Sequence, residues 1–89
     1  MGRYPKRAEH MAYRIIDNEA VIVSPMESEV TILNEVGAFI WKIIDGSQDT
    51  AQIAKELCRE YGVSEEEAKR DIEEFIEDLM NKGLVVSNQ

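Results

Sequence analysis

The sequence predicts an α+β domain of the winged helix-turn-helix type: a three-stranded antiparallel N-terminal sheet followed by three helices. Three observations carry this reading. Short β-branched runs punctuated by turn residues occupy the first third of the chain, and amphipathic stretches of helical period occupy the rest. The last two helical stretches are joined by only a tight Gly62-Val63 turn. At 89 residues the chain forms one small domain with a single core, too short to wall off a deep catalytic cleft.

Residues 1–10 show no periodicity and contain Pro5, so a flexible basic tail is expected there, followed by a domain over 11–86 and a polar end at 87–89. Residues 12–16 and 20–23 are extended runs, and Asp17-Asn18-Glu19 between them suits a tight hairpin because Asp and Asn tolerate turn conformations. Ser24-Pro25-Met26-Glu27-Ser28 reads as a loop, since proline donates nothing to a sheet ladder. A third strand spans 29–33 and runs without a linker into Asn34, a good helix N-cap.

The stretch from Thr31 to Gly46 is the centre of the chain. Its helix, residues 35–45, is apolar over a wide arc: Val36, Phe39, Ile40, Ile43 and Ile44 share a packing face, with Trp41 at the margin. A second helix starts at Asp49 or Thr50, where Asp49 and Gln52 have capping-box spacing; it packs Ile53, Ala54, Leu57 and Tyr61 inward and stops at Gly62. The third begins at Ser64, with Glu67 placed to complete a box. It carries the stripe Ala68, Ile72, Phe75, Ile76 and Leu79, and it ends at Lys82 with Gly83 in the C′ position. Leu84, Val85 and Val86 then return against the core.

Charge and composition narrow the function. Eighteen acids against ten basic residues give a net charge of −8, which supplies little attraction for phosphates. No apolar run approaches the ~20 residues needed to span a bilayer, no signal-peptide core opens the chain, and the single cysteine fits a reducing compartment, so a cytoplasmic protein is expected. Residues that would carry catalysis are scarce. His10 is the one histidine, and Cys58 has no CxxC partner and sits beside a core stripe. No Gly-rich phosphate loop exists, so neither a metal site nor a cofactor nor a catalytic residue is expected. The acids of the third helix read individually as a solvated face.

Binding is better supported than chemistry. A meander ending in Val30, Thr31, Ile32 and Leu33 places that strand at a sheet edge, where a peptide adds as a further strand. The third helix is the candidate second wall, with Phe75 and Leu79 on one side of its stripe and Asp71, Glu74 and Asp78 flanking them. The matching occupant is an extended segment with apolar side chains and one or two Lys or Arg. An open edge equally permits monomer or dimer.

The runs LNEVGAFIWKIIDG, DTAQIAKELCREYGV and AKRDIEEFIEDLMNKGLV carry a resemblance to a known family. Leu33-Asn34-Glu35, Ile40-Trp41, Asp45-Gly46, Ile53-Ala54, Leu57, Tyr61, Asp71, Phe75, Leu79 and Gly83-Leu84, spread over residues 30–86, resemble the PqqD family, named for the small protein D of pyrroloquinoline quinone biosynthesis. The resemblance implies a non-catalytic, free-standing recognition element for ribosomally synthesised and post-translationally modified peptides. Such modules hold the leader of a precursor peptide as an added strand and deliver it to a modifying enzyme, such as a radical S-adenosylmethionine protein, a lasso cyclase or a leader protease. On this chain the implied cleft falls on residues 30–33 and on the side of the last helix bearing Asp71, Phe75, Asp78 and Leu79. Trp41 is expected to report occupancy. The pathway and the role of the basic tail stay open. A winged-helix DNA-binding regulator is the alternative, against which stands the acidity of the third helix.

Overall fold

The structure is a computed structural model in which residues 4–9, 11–24 and 29–87 are described. In chain order the elements are β1 (Pro5–Arg7), β2 (Ala12–Ile16), β3 (Glu19–Ser24), β4 (Glu29–Leu33), α1 (Glu35–Ile43), α2 (Thr50–Tyr61), α3 (Glu65–Asn81) and β5 (Val85–Ser87). β2, β3 and β4 form the expected antiparallel meander, in that order, and β1 pairs with β5 in a separate two-stranded sheet.

The β2–β3 connection is a two-residue turn in which Asp17 and Asn18 both take positive φ, 50° and 68°. That pair of left-handed residues defines the hairpin turn whose twist matches the strands, and it sets Ile16 opposite Glu19. Register then follows by twos. Tyr13, Ile22 and Thr31 line up on one face with Ile15, Ala20 and Leu33, while Arg14, Val21 and Ile32 line up on the other with Ala12, Val23 and Val30. Ala20, Ile22 and Leu33 are buried, so the first face is the one the helices cover.

Local chemistry explains each helix boundary. Asn34 accepts the Gly37 N–H at 2.9 Å to start α1. Asp49 and Gln52 form the full reciprocal box at the head of α2. At α3 only the Ser64 half of the expected box is made, with Glu67 N–H donating to Ser64 Oγ at 3.2 Å; Glu67 is exposed and its carboxylate stays in water. α3 ends in a Schellman turn. Gly83, at φ 75°, donates to the Met80 carbonyl, and Leu84 donates to the Leu79 carbonyl at 2.9 Å. Leu79 and Leu84, on either side of that turn, are both buried, and the chain turns back into β5.

The core face of α1 differs from the expected one. Trp41 is fully buried rather than marginal, together with Ala38, Ile40 and Ile44, whereas Val36 is exposed and Phe39 and Ile43 are half-buried. The helix also ends at Ile43, before residue 45, and Ile44 buries its side chain from a non-helical conformation. Tyr13 meets the indole edge-on with ring centroids 5.5 Å apart.

The N-terminal segment also corrects the expectation of a free tail. Pro5 is buried, β1 pairs with β5, and β1 bridges to Asp45 on its other side. The proline that argued for disorder is the first residue of a short strand, where a missing N–H is tolerated. Arg7 ties this segment to α1. Its guanidinium donates to the Trp41 carbonyl at 2.7 Å and to the Lys42 carbonyl at 3.2 Å, placing a cation on the negative end of the helix, and it lies over the Tyr13 ring. Ser87 pairs with Pro5, so the folded unit runs past the expected boundary at 86. His10 and residues 25–28 of the expected loop lie outside the described residues.

Candidate functional site

β4 closes the meander on one side, and among the described residues nothing pairs with its outer edge. Which of its backbone groups are free follows from the turn. A two-residue hairpin makes Ile16 and Glu19 a hydrogen-bonded pair; bonding alternates along β3, so Ala20, Ile22 and Ser24 turn their backbone groups to β4. Their partners Leu33, Thr31 and Glu29 are thereby occupied. Val30 and Ile32 direct N–H and C=O groups away from the sheet, giving two donors and two acceptors in a row.

A groove runs beside this edge. Ile32 and Leu33 of β4 form one wall, and Asp71, Glu74 and Phe75 of α3 form the opposite one. The N-cap Asn34 and Val36, Gly37 and Ile40 of α1 make the floor. Gly37 is what lets the three elements meet: a β-carbon there would lie 3.1 Å from Leu33 Cβ and 3.1 Å from Phe75 Cε1, closer than such contacts normally come. Phe75 is only half-buried and offers the open side of its ring to the groove, while Asp71 and Glu74, one helical turn apart, set two exposed carboxylates along its lip.

The residues expected at the site divide accordingly. Ile32, Leu33, Asp71, Glu74 and Phe75 are brought together. Val30 and Thr31 continue the same strand, Val30 with 59% of its surface exposed and Thr31 half-buried. Leu79 does not reach the groove, being 1% exposed in the core where it anchors the α3 Schellman turn. Asp78 lies on a neighbouring hollow with Arg70, Glu73, Glu74, Glu77 and Asn81, and it pairs with Lys82 at 3.6 Å. Trp41 is buried against Tyr13 and is not among the groove residues, so it is poorly placed to sense occupancy.

The floor contributed by α1 was absent from the expected site. A signal for it exists, because a glycine inside a helix costs roughly 1 kcal/mol against alanine and therefore points to a close approach. Gly37 stands between Val36 and Ala38 without any turn to account for it.

Among the described residues no group of three or more His, Cys, Asp and Glu side chains is placed to hold a metal ion, and no helix is long and apolar enough to cross a membrane. Cys58 is a half-buried free thiol on α2. The exposed side of α3 presents Asp71, Glu73, Glu74, Glu77 and Asp78, which would repel the phosphates of a DNA groove.

This is a small winged-helix-like α+β fold with an open sheet edge facing an acidic helix across an apolar floor. The chain belongs to the PqqD family: the model for coenzyme PQQ synthesis protein D matches residues 19–85. Solved structures share the fold over nearly the whole chain. TbiB1, determined in complex with the TbiA(beta) leader peptide, is 26% identical, with a TM-score of 0.85 over 94% of this chain and 98% of that one. Lasso peptide synthetase B1, complexed with its leader peptide, is 23% identical at a TM-score of 0.83, covering 93% and 98%. The PqqD truncation of Methylobacterium extorquens PqqCD, a stand-alone recognition element for ribosomally synthesised and post-translationally modified peptides, is 21% identical at 0.76, covering 92% and 87%. No curated protein sequence is significantly similar to the chain.

Proposed function

We propose that this protein is a non-catalytic recognition element that binds the leader region of a precursor peptide and presents it to a modifying enzyme in the cytoplasm. The observation that carries the reading is the unpaired edge of β4 facing α3 across the Gly37 floor. TbiB1, the relative of 26% identity, was itself determined with a leader peptide bound. The bound segment adds to β4 through the outward backbone groups of Val30 and Ile32. It seats an apolar side chain among Ile32, Leu33, Val36 and Phe75, and it brings Lys or Arg toward Asp71 and Glu74.

Four main-chain hydrogen bonds, each contributing ~0.5–1.5 kcal/mol net, plus one buried apolar side chain at ~1.5–3 kcal/mol, give an interaction of several kcal/mol before the cost of ordering the peptide. Affinity then depends on side chains matching the groove, which is how a strand-addition site becomes selective. The enzyme served is a radical S-adenosylmethionine protein, a cyclase or a leader protease. Calorimetric titration with the synthetic leader of the precursor encoded beside this gene is the test. Saturable one-to-one binding is expected, and no heat and no saturation would overturn the proposal.

A further inference from the structure

The N-cap residues of α1 and α2 are satisfied to different degrees. At α2 the cap is reciprocal: Asp49 accepts the Gln52 N–H at 2.9 Å, and the Gln52 carboxamide oxygen accepts the Asp49 N–H at 2.8 Å. At α1 the residue in the place of Gln52 is Gly37, which has no side chain to return the bond. Asn34 Oδ1 accepts the Gly37 N–H at 2.9 Å, and the Asn34 carbonyl accepts the Ala38 N–H at 2.7 Å. The Gly37 N–H requires an oxygen there, so the carboxamide NH2 is turned the other way. Neither that NH2 nor the Asn34 backbone N–H donates to any described residue. The missing side chain that opens the groove floor thus leaves Asn34 with two kinds of unused donor. At α3 the Ser64 N–H is likewise not returned by Glu67, but Ser64 is not a groove residue.

Asn34 stands where such donors are useful. Its backbone is extended, at φ −72° and ψ −177°, so it carries the strand one residue beyond Leu33 before the chain turns into α1. Outward direction alternates along β4: Val30 and Ile32 face away from β3, and Asn34 is next in that series. Its N–H therefore continues the row of free groups along the edge, and the residue lines the groove beside Leu33 and Gly37. Charge selects the acceptor. Asp71 and Glu74 stand on the opposite wall, so an entering carboxylate would be repelled, whereas a neutral main-chain carbonyl meets no such penalty.

We infer that Asn34 is a peptide-binding residue as well as a helix cap. Its N–H extends the β4 ladder by a third donor, and its carboxamide NH2 donates to a main-chain carbonyl of the bound segment where that segment passes the start of α1. The inference rests on the leader-binding reading above. It makes the edge asymmetric: at Val30 and Ile32 a peptide residue meets a donor and an acceptor, whereas at Asn34 it meets donors, the carbonyl being committed to Ala38. The added strand then has a defined end, which opposes slippage of the segment along β4.

Asp and Ser cap a helix about as well as Asn, so Asn34→Asp and Asn34→Ser keep the bond to Gly37 while removing the NH2 donor. Calorimetric titration with the synthetic leader of the precursor encoded beside this gene is paired with urea unfolding and with amide exchange followed by NMR. Both variants are expected to unfold at the wild-type urea midpoint. Asn34→Ser is expected to bind the leader about fivefold more weakly, and Asn34→Asp, which turns a carboxylate toward the peptide carbonyl, at least about tenfold more weakly. In wild type, saturation with leader is expected to slow exchange of the Asn34 backbone amide at least about tenfold and to shift its carboxamide resonances. Wild-type affinity in both variants, together with an Asn34 amide that exchanges as fast in the complex as in the free protein, would overturn the inference and leave the leader-binding reading standing. Weaker binding that tracks a lowered urea midpoint and a fast-exchanging Gly37 amide would make Asn34 a cap alone, and so overturn it as well. Failure of wild type to bind the leader at all would overturn the leader-binding reading and this inference together.

Discussion

Gly37 sits so close beneath Phe75 that a methyl group in place of its hydrogen would come within 3.1 Å of the ring. The same methyl would press on Leu33 Cβ, which the strand backbone holds fixed, so the ring is the group that must yield, and it yields into the groove. Gly37→Ala therefore combines a helix-propensity gain of ~0.5–1 kcal/mol with a narrowed binding site. Thermal unfolding is expected within a few degrees of wild type, while leader affinity measured by calorimetry falls by about tenfold. Unchanged affinity would show that the floor does not shape the site.

Proline substitution separates the two sides of β4. Ile32→Pro removes an N–H that faces outward, which an edge strand tolerates; it should leave the fold intact and weaken leader binding by more than tenfold. Thr31→Pro removes an N–H directed at Ile22 and should destabilise the domain by roughly 3 kcal/mol or more, visible as a lowered urea midpoint. The reverse pattern would place the free edge of the sheet elsewhere.

The carboxylates on the groove lip are exposed, and pairs of that kind contribute only ~0.2–1 kcal/mol each. Asp71→Asn with Glu74→Gln is accordingly expected to weaken binding of a leader bearing Lys or Arg by several-fold, not to abolish it, and to flatten the dependence of affinity on salt. Asp78→Asn, on the adjoining hollow and already paired with Lys82, is expected to change little. An identical salt dependence in wild type and the double variant would assign Asp71 and Glu74 a merely solvating role.

Arg7 joins the N-terminal strand to the end of α1 through the carbonyls of Trp41 and Lys42. Charge-assisted bonds of this type contribute ~1.5–3 kcal/mol, so Arg7→Ala should lower unfolding free energy by about that amount in urea denaturation, with leader affinity retained. A stability equal to wild type would mean that the β1–β5 pairing holds the segment without it.

Much of this architecture was legible because local chemistry and tertiary structure agree. Asn34, Asp49, Ser64, Gly62 and Gly83 mark helix boundaries through caps that depend on neighbouring residues alone, and Asp17-Asn18 marks the hairpin for the same reason. What escaped depends on contacts distant in the chain. Residues 5–7 have no pattern of their own and become a strand only because β5 and Asp45 lie on either side of them. Trp41 turns into the core because Tyr13 and the β1 segment surround it, which no helical wheel of residues 35–45 reveals. Leu79 and Phe75 share a stripe in sequence, yet the first is sealed under the return to β5 while the second is left at the mouth of the groove. The edge of β4 and the acids of α3 were legible as two separate features, whereas the Gly37 floor that joins them needed the packing.

Amide hydrogen exchange of the free and leader-saturated protein, read residue by residue along β4, tests the central claim most directly. In the free protein the amides of Thr31 and Leu33, directed at β3, should be protected, and those of Val30 and Ile32 should exchange fast; saturation with leader should slow Val30 and Ile32 by at least about a hundredfold and leave β2 unaffected. If Val30 and Ile32 stay fast in the saturated complex, or new protection appears along β2 instead, the leader does not add to the edge of β4 and the account is wrong.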